Sequence, residues 1–123
     1  MSLDRRPALG LEGEEIACRE LRRRGYRILD RRYRTRLGEL DIVAREDQTI
    51  VFVEVKTRRS RRYGLAEEAV TRRKRDKLVT MATDYLARKA LADRPCRFDV
   101  VGVEIHERGS PTVRVVRDAF QVS

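Results

Sequence analysis

Histidine and cysteine are scarce. The chain has a single histidine, His106, and two cysteines, Cys18 and Cys96. The cysteines are far apart and form no CxxC pair, so together with His106 they build no zinc site without outside ligands. They read as two small core residues in a reducing compartment, and His106 as an exposed residue at a strand end. No stretch approaches the roughly 18 consecutive apolar residues of a membrane span, and the N-terminus has no secretory apolar region. A soluble, cytoplasmic protein is expected. A membrane-surface role is disfavoured, because no basic amphipathic helix carries an aromatic face. There is also no internal repeat and no low-complexity linker. With 123 residues, the expectation is one domain, residues 11–123, behind a flexible arm, residues 1–10.

What the chain has in excess is charge. Charged residues make up 40% of the sequence and the net charge is +9. Such a basic domain attracts polyanions, nucleic acid first among them. Arginine does most of this work, and lysine is confined to Lys56, Lys74, Lys77 and Lys89. Arginine offers the better fork for phosphate and lysine a compact, tunable point charge. A lysine kept inside a strand of an arginine-rich chain is therefore informative.

That lysine belongs to IVFVEVK, Ile50 to Lys56. Alternation along a strand puts Phe52, Glu54 and Lys56 on one face and Val51, Val53 and Val55 on the other. Two charges on one face of so apolar a strand need a partner or an ion. The upstream strand, Glu39 to Ala44, supplies Asp41, which a hairpin loop over residues 46–49 would set roughly across from residue 54. Two neighbouring carboxylates repel unless a cation stands between them. Asp41, Glu54 and the carbonyl of Val55 would suit Mg²⁺ or Mn²⁺, with Lys56 orienting water or steadying developing charge. The alternative is a buried Asp41–Lys56 ion pair without chemistry.

The remaining segments fall around this pair of strands. A helix is expected from about Leu11 to Arg24, capped by Gly25, with Ala17, Cys18 and Leu21 facing inward. Glu14 shares that face, whereas Glu15 aligns with Arg19 and Arg22. Glu14 reads either as an inward-pointing acid or as a simple complement to the helix dipole. Tyr26 to Tyr33 is a first strand, so three strands in succession suggest an antiparallel meander. Arg58, Arg59, Arg61 and Arg62 form a cationic loop after Lys56. A second helix should start after Thr71 and run to about Leu91, with a core stripe of Leu78, Ala82, Tyr85 and Leu86. Its first turn carries Arg72, Arg73, Lys74 and Arg75, the wrong sign for a helix N-terminus unless a phosphate binds there. Lys74 reads equally as a site residue or a snorkelling surface lysine. Arg97 to Ile105 is a fourth strand, in which Asp99 reads as structural, and Thr112 to Val116 a short fifth strand at an edge.

The combination GLEGEEIACRELRRRGYRILDRRYR, GELDIVA, VFVEVKTR, the Gly64-to-Lys74 run and RFDVV resembles the YraN-like family of bacterial proteins, over about residues 9 to 105. That family is placed in the PD-(D/E)XK nuclease superfamily, close to archaeal Holliday-junction resolvases. The resemblance implies an α/β, restriction-endonuclease-like fold: a central mixed sheet of about five strands in αβββαββ order, flanked by two main helices. It makes Asp41 the motif's aspartate, Glu54-Val55-Lys56 its (D/E)-X-K, and Glu14 the acid of the first helix. The family often has asparagine where Arg32 stands and isoleucine where Leu40 stands, and the superfamily's proline before the aspartate is replaced by Leu40. The implied activity is metal-dependent endonucleolytic cleavage of DNA, branched or junction DNA included, by a protein that could work as a homodimer. A non-catalytic nucleic-acid-binding accessory with a vestigial metal site is the competing reading, since the superfamily includes inactive members.

Overall fold

The computed structural model describes residues 5–59 and 71–120, with side chains from residue 9 onward. Helix α1 (Arg5–Arg23) is followed by strands β1 (Arg27–Thr35), β2 (Gly38–Glu46) and β3 (Thr49–Arg58), then helix α2 (Arg72–Arg88) and strands β4 (Cys96–Glu104) and β5 (Thr112–Phe120). The five strands lie side by side in sequence order. Pairing is antiparallel throughout except between β3 and β4, which run parallel. A parallel pair needs a crossover, and α2 lies within it. The expected α/β class, mixed sheet and αβββαββ order are all present.

Each helix covers one face. Ala17, Cys18 and Leu21 of α1 pack with Ile42, Ala44, Val51, Val53, Val101 and Val103. Leu78, Met81, Ala82 and Tyr85 of α2 pack with Leu40, Val43, Ile50, Phe52, Phe98, Val100 and Phe120. The alternation read from β3 holds: Val51 and Val53 face α1, while Ile50 and Phe52 face α2. Burying each large aliphatic or aromatic side chain stabilises the fold by roughly 1.5–3 kcal/mol, so the two layers fix both helices.

Several boundaries differ from expectation. Helix α1 begins at Arg5 rather than near Leu11; Pro7 is tolerated because first-turn N–H groups have no intrahelical partner to lose. Strand β5 continues to Phe120 rather than stopping at Val116. A register shift opposite Phe98/Val100, with Asp118 at φ 51°, lets its end return to the core, where Phe120 stacks on Phe98 at 4.8 Å. Cys18 is buried as expected, but Cys96, at the start of β4, is exposed. Glu15 pairs with Arg31 at 2.9 Å rather than within its own helix, because β1 runs beneath α1. Thr71 is the N-cap of α2, its hydroxyl accepting from the Lys74 N–H at 3.3 Å. Asp99 is structural: buried, it accepts from the Tyr26 hydroxyl, the Arg97 guanidinium and the Asp118 N–H, each at 2.9 Å. His106 is exposed and hydrogen-bonds Thr112 Oγ1 at 2.7 Å. Among the described residues, no helix is long and apolar enough to cross a membrane.

Gly13 decides how closely α1 approaches the sheet. A Cβ there would lie 1.8 Å from Thr57 Oγ1, so helix and strand touch through a glycine. Glycine inside a helix costs about 1 kcal/mol relative to alanine, a penalty accepted here to set Glu14 against β3. Gly13→Ala is expected to lose roughly 1–3 kcal/mol of stability through overpacking, despite its better helix propensity. Chemical denaturation reads this directly; a gain in stability would show that the contact is slack.

Candidate metal centre

Strand β2 changes face at Asp41. Leu40 packs in the α2 layer and Ile42 in the α1 layer, although they are two residues apart; strict alternation would put them on one face. The pairings on both sides of β2 reflect this. Toward β1, the pairs Arg31–Ile42 and Tyr33–Leu40 bracket Arg32 and Asp41. Toward β3, the ladder runs from Glu46–Thr49 to Ile42–Val53. Continuing that register would set Asp41 opposite Glu54, as the sequence suggests. Instead the Asp41 carboxylate reaches the backbone of β3 and accepts the Val55 N–H at 2.8 Å.

Asp41 thereby enters a recess of about 360 Å³ between α1 and the sheet, lined by residues that include Glu14, Arg32, Glu39, Val55 and Thr57. Carboxylate oxygens of Glu14, Glu39 and Asp41 all lie within 4.8 Å of one another. Glu14 arrives on the inner face of α1, only 7% exposed. The inward reading of Glu14 therefore holds. Arg32 Nε stands 3.6 Å from Glu14 and 3.7 Å from Glu39, on a backbone at φ 55°. For a residue with a Cβ this left-handed conformation costs roughly 1–2 kcal/mol.

The acids perturb one another. Burial pushes the Asp41 carboxyl up to about 7; the charge of Glu54 adds to this, the Val55 N–H opposes it, and Glu14 and Glu39 add further repulsion. Glu14 is also raised, first by burial, with Arg32 pulling the other way. Hard oxygen donors this close suit Mg²⁺ or Mn²⁺. Adjacent ligands of an octahedral ion at about 2.1 Å stand about 3.0 Å apart, so oxygens within 4.8 Å of one another reach a shared ion by side-chain adjustment. The residues fit the ion.

The expected ligands are thus brought together in part. Asp41 and Glu14 meet, and Val55 lines the same recess with its N–H engaged by Asp41. Glu54 is not in the trio. Sharing the face of Phe52, it turns toward α2 and lines a second recess of about 190 Å³ with Lys74, Lys77, Leu78 and Met81. Its Oε1 lies 3.2 Å from Lys56 Nζ. Glu39 lines both recesses and completes the trio. Lys56 and Lys74 stand close enough for their side chains to interact, and this proximity lowers the pKa of Lys74. Burial works against the charge on Lys56, but its neighbours, the Glu54 carboxylate among them, outweigh it and raise its pKa. Arg72, Arg73 and Lys74 are exposed on the first turn of α2, which carries no acid. Arg58 is half-buried and Arg59 exposed at the end of β3; Arg61 and Arg62 lie outside the described residues.

Two residues of the site escaped the sequence reading. Glu39 was within reach, since alternation puts residues 39 and 41 of one strand on one face. Arg32 had no pointer in local periodicity, because it enters the recess through the break in β1 where its own backbone turns to φ 55°.

These features define an α/β protein with a mixed five-stranded sheet, a helix on each face and an acid-lined recess where β2 and β3 part. The model of the family described as "Uncharacterised protein family UPF0102" matches residues 13–103. The chain is 44% identical to a UPF0102 protein of Geobacter sulfurreducens, over 94% of this chain and 90% of that one. It is 47% identical to a UPF0102 protein of Symbiobacterium thermophilum, over 91% of this chain and 95% of that one. A Syntrophomonas wolfei member is 48% identical, over 91% and 96% of the two chains. The chain belongs to the UPF0102 family, the YraN-like group that its motifs resemble.

The raised Asp41 carboxyl has a consequence for stability. The folded protein retains a proton that the unfolded chain gives up, so this group's contribution is full below about pH 4 and declines as pH rises toward about 7. In metal-free buffer, Asp41→Asn is expected to melt several degrees above the parent near pH 7.5, the gap closing toward pH 4. Thermal melts across that range check it. A constant gap would mean that Asp41 ionises freely in the folded state.

Proposed function

We propose that this protein is a divalent-metal-dependent nuclease that hydrolyses phosphodiester bonds in cytoplasmic DNA, with branched or junction DNA as its substrate class. The observation that carries the reading is the convergence of Glu14, Glu39 and Asp41 within 4.8 Å, where β2 leaves its ladder and Asp41 takes the Val55 N–H. Three mutually repelling acids in a half-buried recess are what a divalent cation stabilises.

Glu14, Glu39 and Asp41 would hold Mg²⁺ or Mn²⁺. The bound ion would polarise the scissile phosphate and acidify a water. Glu54 and Lys56 contribute from the neighbouring face of β3. Lys56, kept charged beside Glu54, steadies the negative charge that develops on the phosphate and orients the attacking water. Glu54 acts on the centre through its field on Asp41. Arg58, Arg59, Arg72, Arg73 and Lys74 hold the nucleic-acid backbone, an affinity that falls steeply with salt. A four-way junction presents paired strands for cutting, and a homodimer would supply the two centres.

Two experiments test the assignment. Mn²⁺ is expected to raise the melting temperature of the parent and to leave that of Asp41→Asn unmoved, since only ligands present in the folded state convert binding into stability. Duplex, single-stranded, flap and four-way DNA are then incubated with Mn²⁺ or Mg²⁺. Cleavage of at least one substrate is expected, with Asp41→Asn inactive and Lys56→Ala reduced by about 10²-fold or more. Tight, salt-sensitive DNA binding with every substrate left intact would instead make the protein a non-catalytic binder with a vestigial centre.

A further inference from the structure

Three arginines of β1 approach the acid recess, and they are not held alike. Arg31 is bound to Glu15 at 2.9 Å and Arg34 to Glu39 at 2.8 Å, the lengths of charge-assisted hydrogen bonds. Arg32 makes two longer contacts, 3.6 Å to Glu14 and 3.7 Å to Glu39. Its side chain is 42% exposed. It is held between two of the three clustered acids by their field rather than by a bidentate fork. Its backbone, at φ 55°, breaks the β1 pattern at the point where Asp41 leaves that of β2. A strained arginine aimed between two carboxylates occupies the region that a divalent ion would need.

We propose that Arg32 is the resident cation of the recess, which a divalent ion must displace, and that the freed guanidinium then binds a phosphate of the nucleic-acid substrate. The inference rests on reading Glu14, Glu39 and Asp41 as a metal centre. The long contacts and exposure make displacement easy, since partly solvated ion pairs of this kind are weak. A guanidinium pushed outward meets solvent, and phosphate is its natural bidentate partner. Metal and polyanion then help each other: the ion releases Arg32, and the phosphate keeps it from returning. Coupling of this sort is reciprocal.

The test is a calorimetric titration of Mn²⁺ into the parent, Arg32→Asn and Arg32→Lys, without nucleic acid. Asparagine suits left-handed backbone, so Arg32→Asn should fold, and the lysine variant keeps the charge. Arg32→Asn is expected to bind Mn²⁺ about three- to tenfold tighter, the order of effect of removing one nearby like charge. Arg32→Lys should stay within about twofold of the parent on the same argument. Repeating the titration with a cleavage-resistant phosphorothioate DNA duplex should tighten Mn²⁺ binding in the parent and do so less in Arg32→Asn. Unchanged or weaker Mn²⁺ binding in Arg32→Asn overturns the role of Arg32 and leaves the metal centre standing. Equal tightening by the duplex in both proteins overturns the phosphate step. Absence of Mn²⁺ binding from parent and Arg32→Asn alike overturns the metal centre itself, and this inference with it.

Discussion

The hydrogen bond from the Val55 N–H to the Asp41 carboxylate, 2.8 Å long, takes the place of a rung in the sheet. Where a regular ladder would pair backbone with backbone, β2 offers a side chain, and the strand switches faces to do so. Leu40 and Ile42 consequently pack against different helices. The bond also holds a carboxylate in a position that burial and neighbouring charge make unfavourable. A main-chain donor is well suited to that task, because it is fixed by the sheet and cannot swing away.

The other parts of the site follow from this break. With Asp41 turned toward α1, the acids able to reach it are those on that side: Glu14 from the helix and Glu39 two residues earlier on the same strand. Glu54 keeps the regular alternation of β3 and so faces α2, where Lys56 and Lys74 surround it. The two recesses meet at Glu39, which lines both. One is acidic and one mixed, a division of labour that suits an ion on one side and an anionic backbone on the other.

Close packing keeps the acidic side in register. Gly13 lets α1 touch Thr57, and Ala17, Cys18 and Leu21 seal the helix onto the sheet behind it. At the far end, Asp99 ties Tyr26, Arg97 and the bulge in β5 together. Glu14 therefore sits on a helix rather than on a loop, and its distance from Asp41 is set by how α1 packs on the sheet.

Much of this architecture is legible in the residues alone. The alternation of β3, the apolar face of α1 that includes Glu14, the Thr71 cap and the meander all depend on local periodicity and short-range hydrogen bonding, which sequence spacing encodes directly. The basic first turn of α2 is likewise a matter of order along the chain. Which acids come together is legible only in part. A regular β2–β3 register would set Asp41 across from Glu54, and only the tertiary structure turns Glu54 toward α2 and brings Arg32 into the recess. The reason is physical: one dropped step in a two-residue period reverses the facing of everything around it. Whether a strand drops that step depends on what its neighbours press against it as well as on its own residues, and here the Val55 N–H of β3 meets the Asp41 carboxylate at the break.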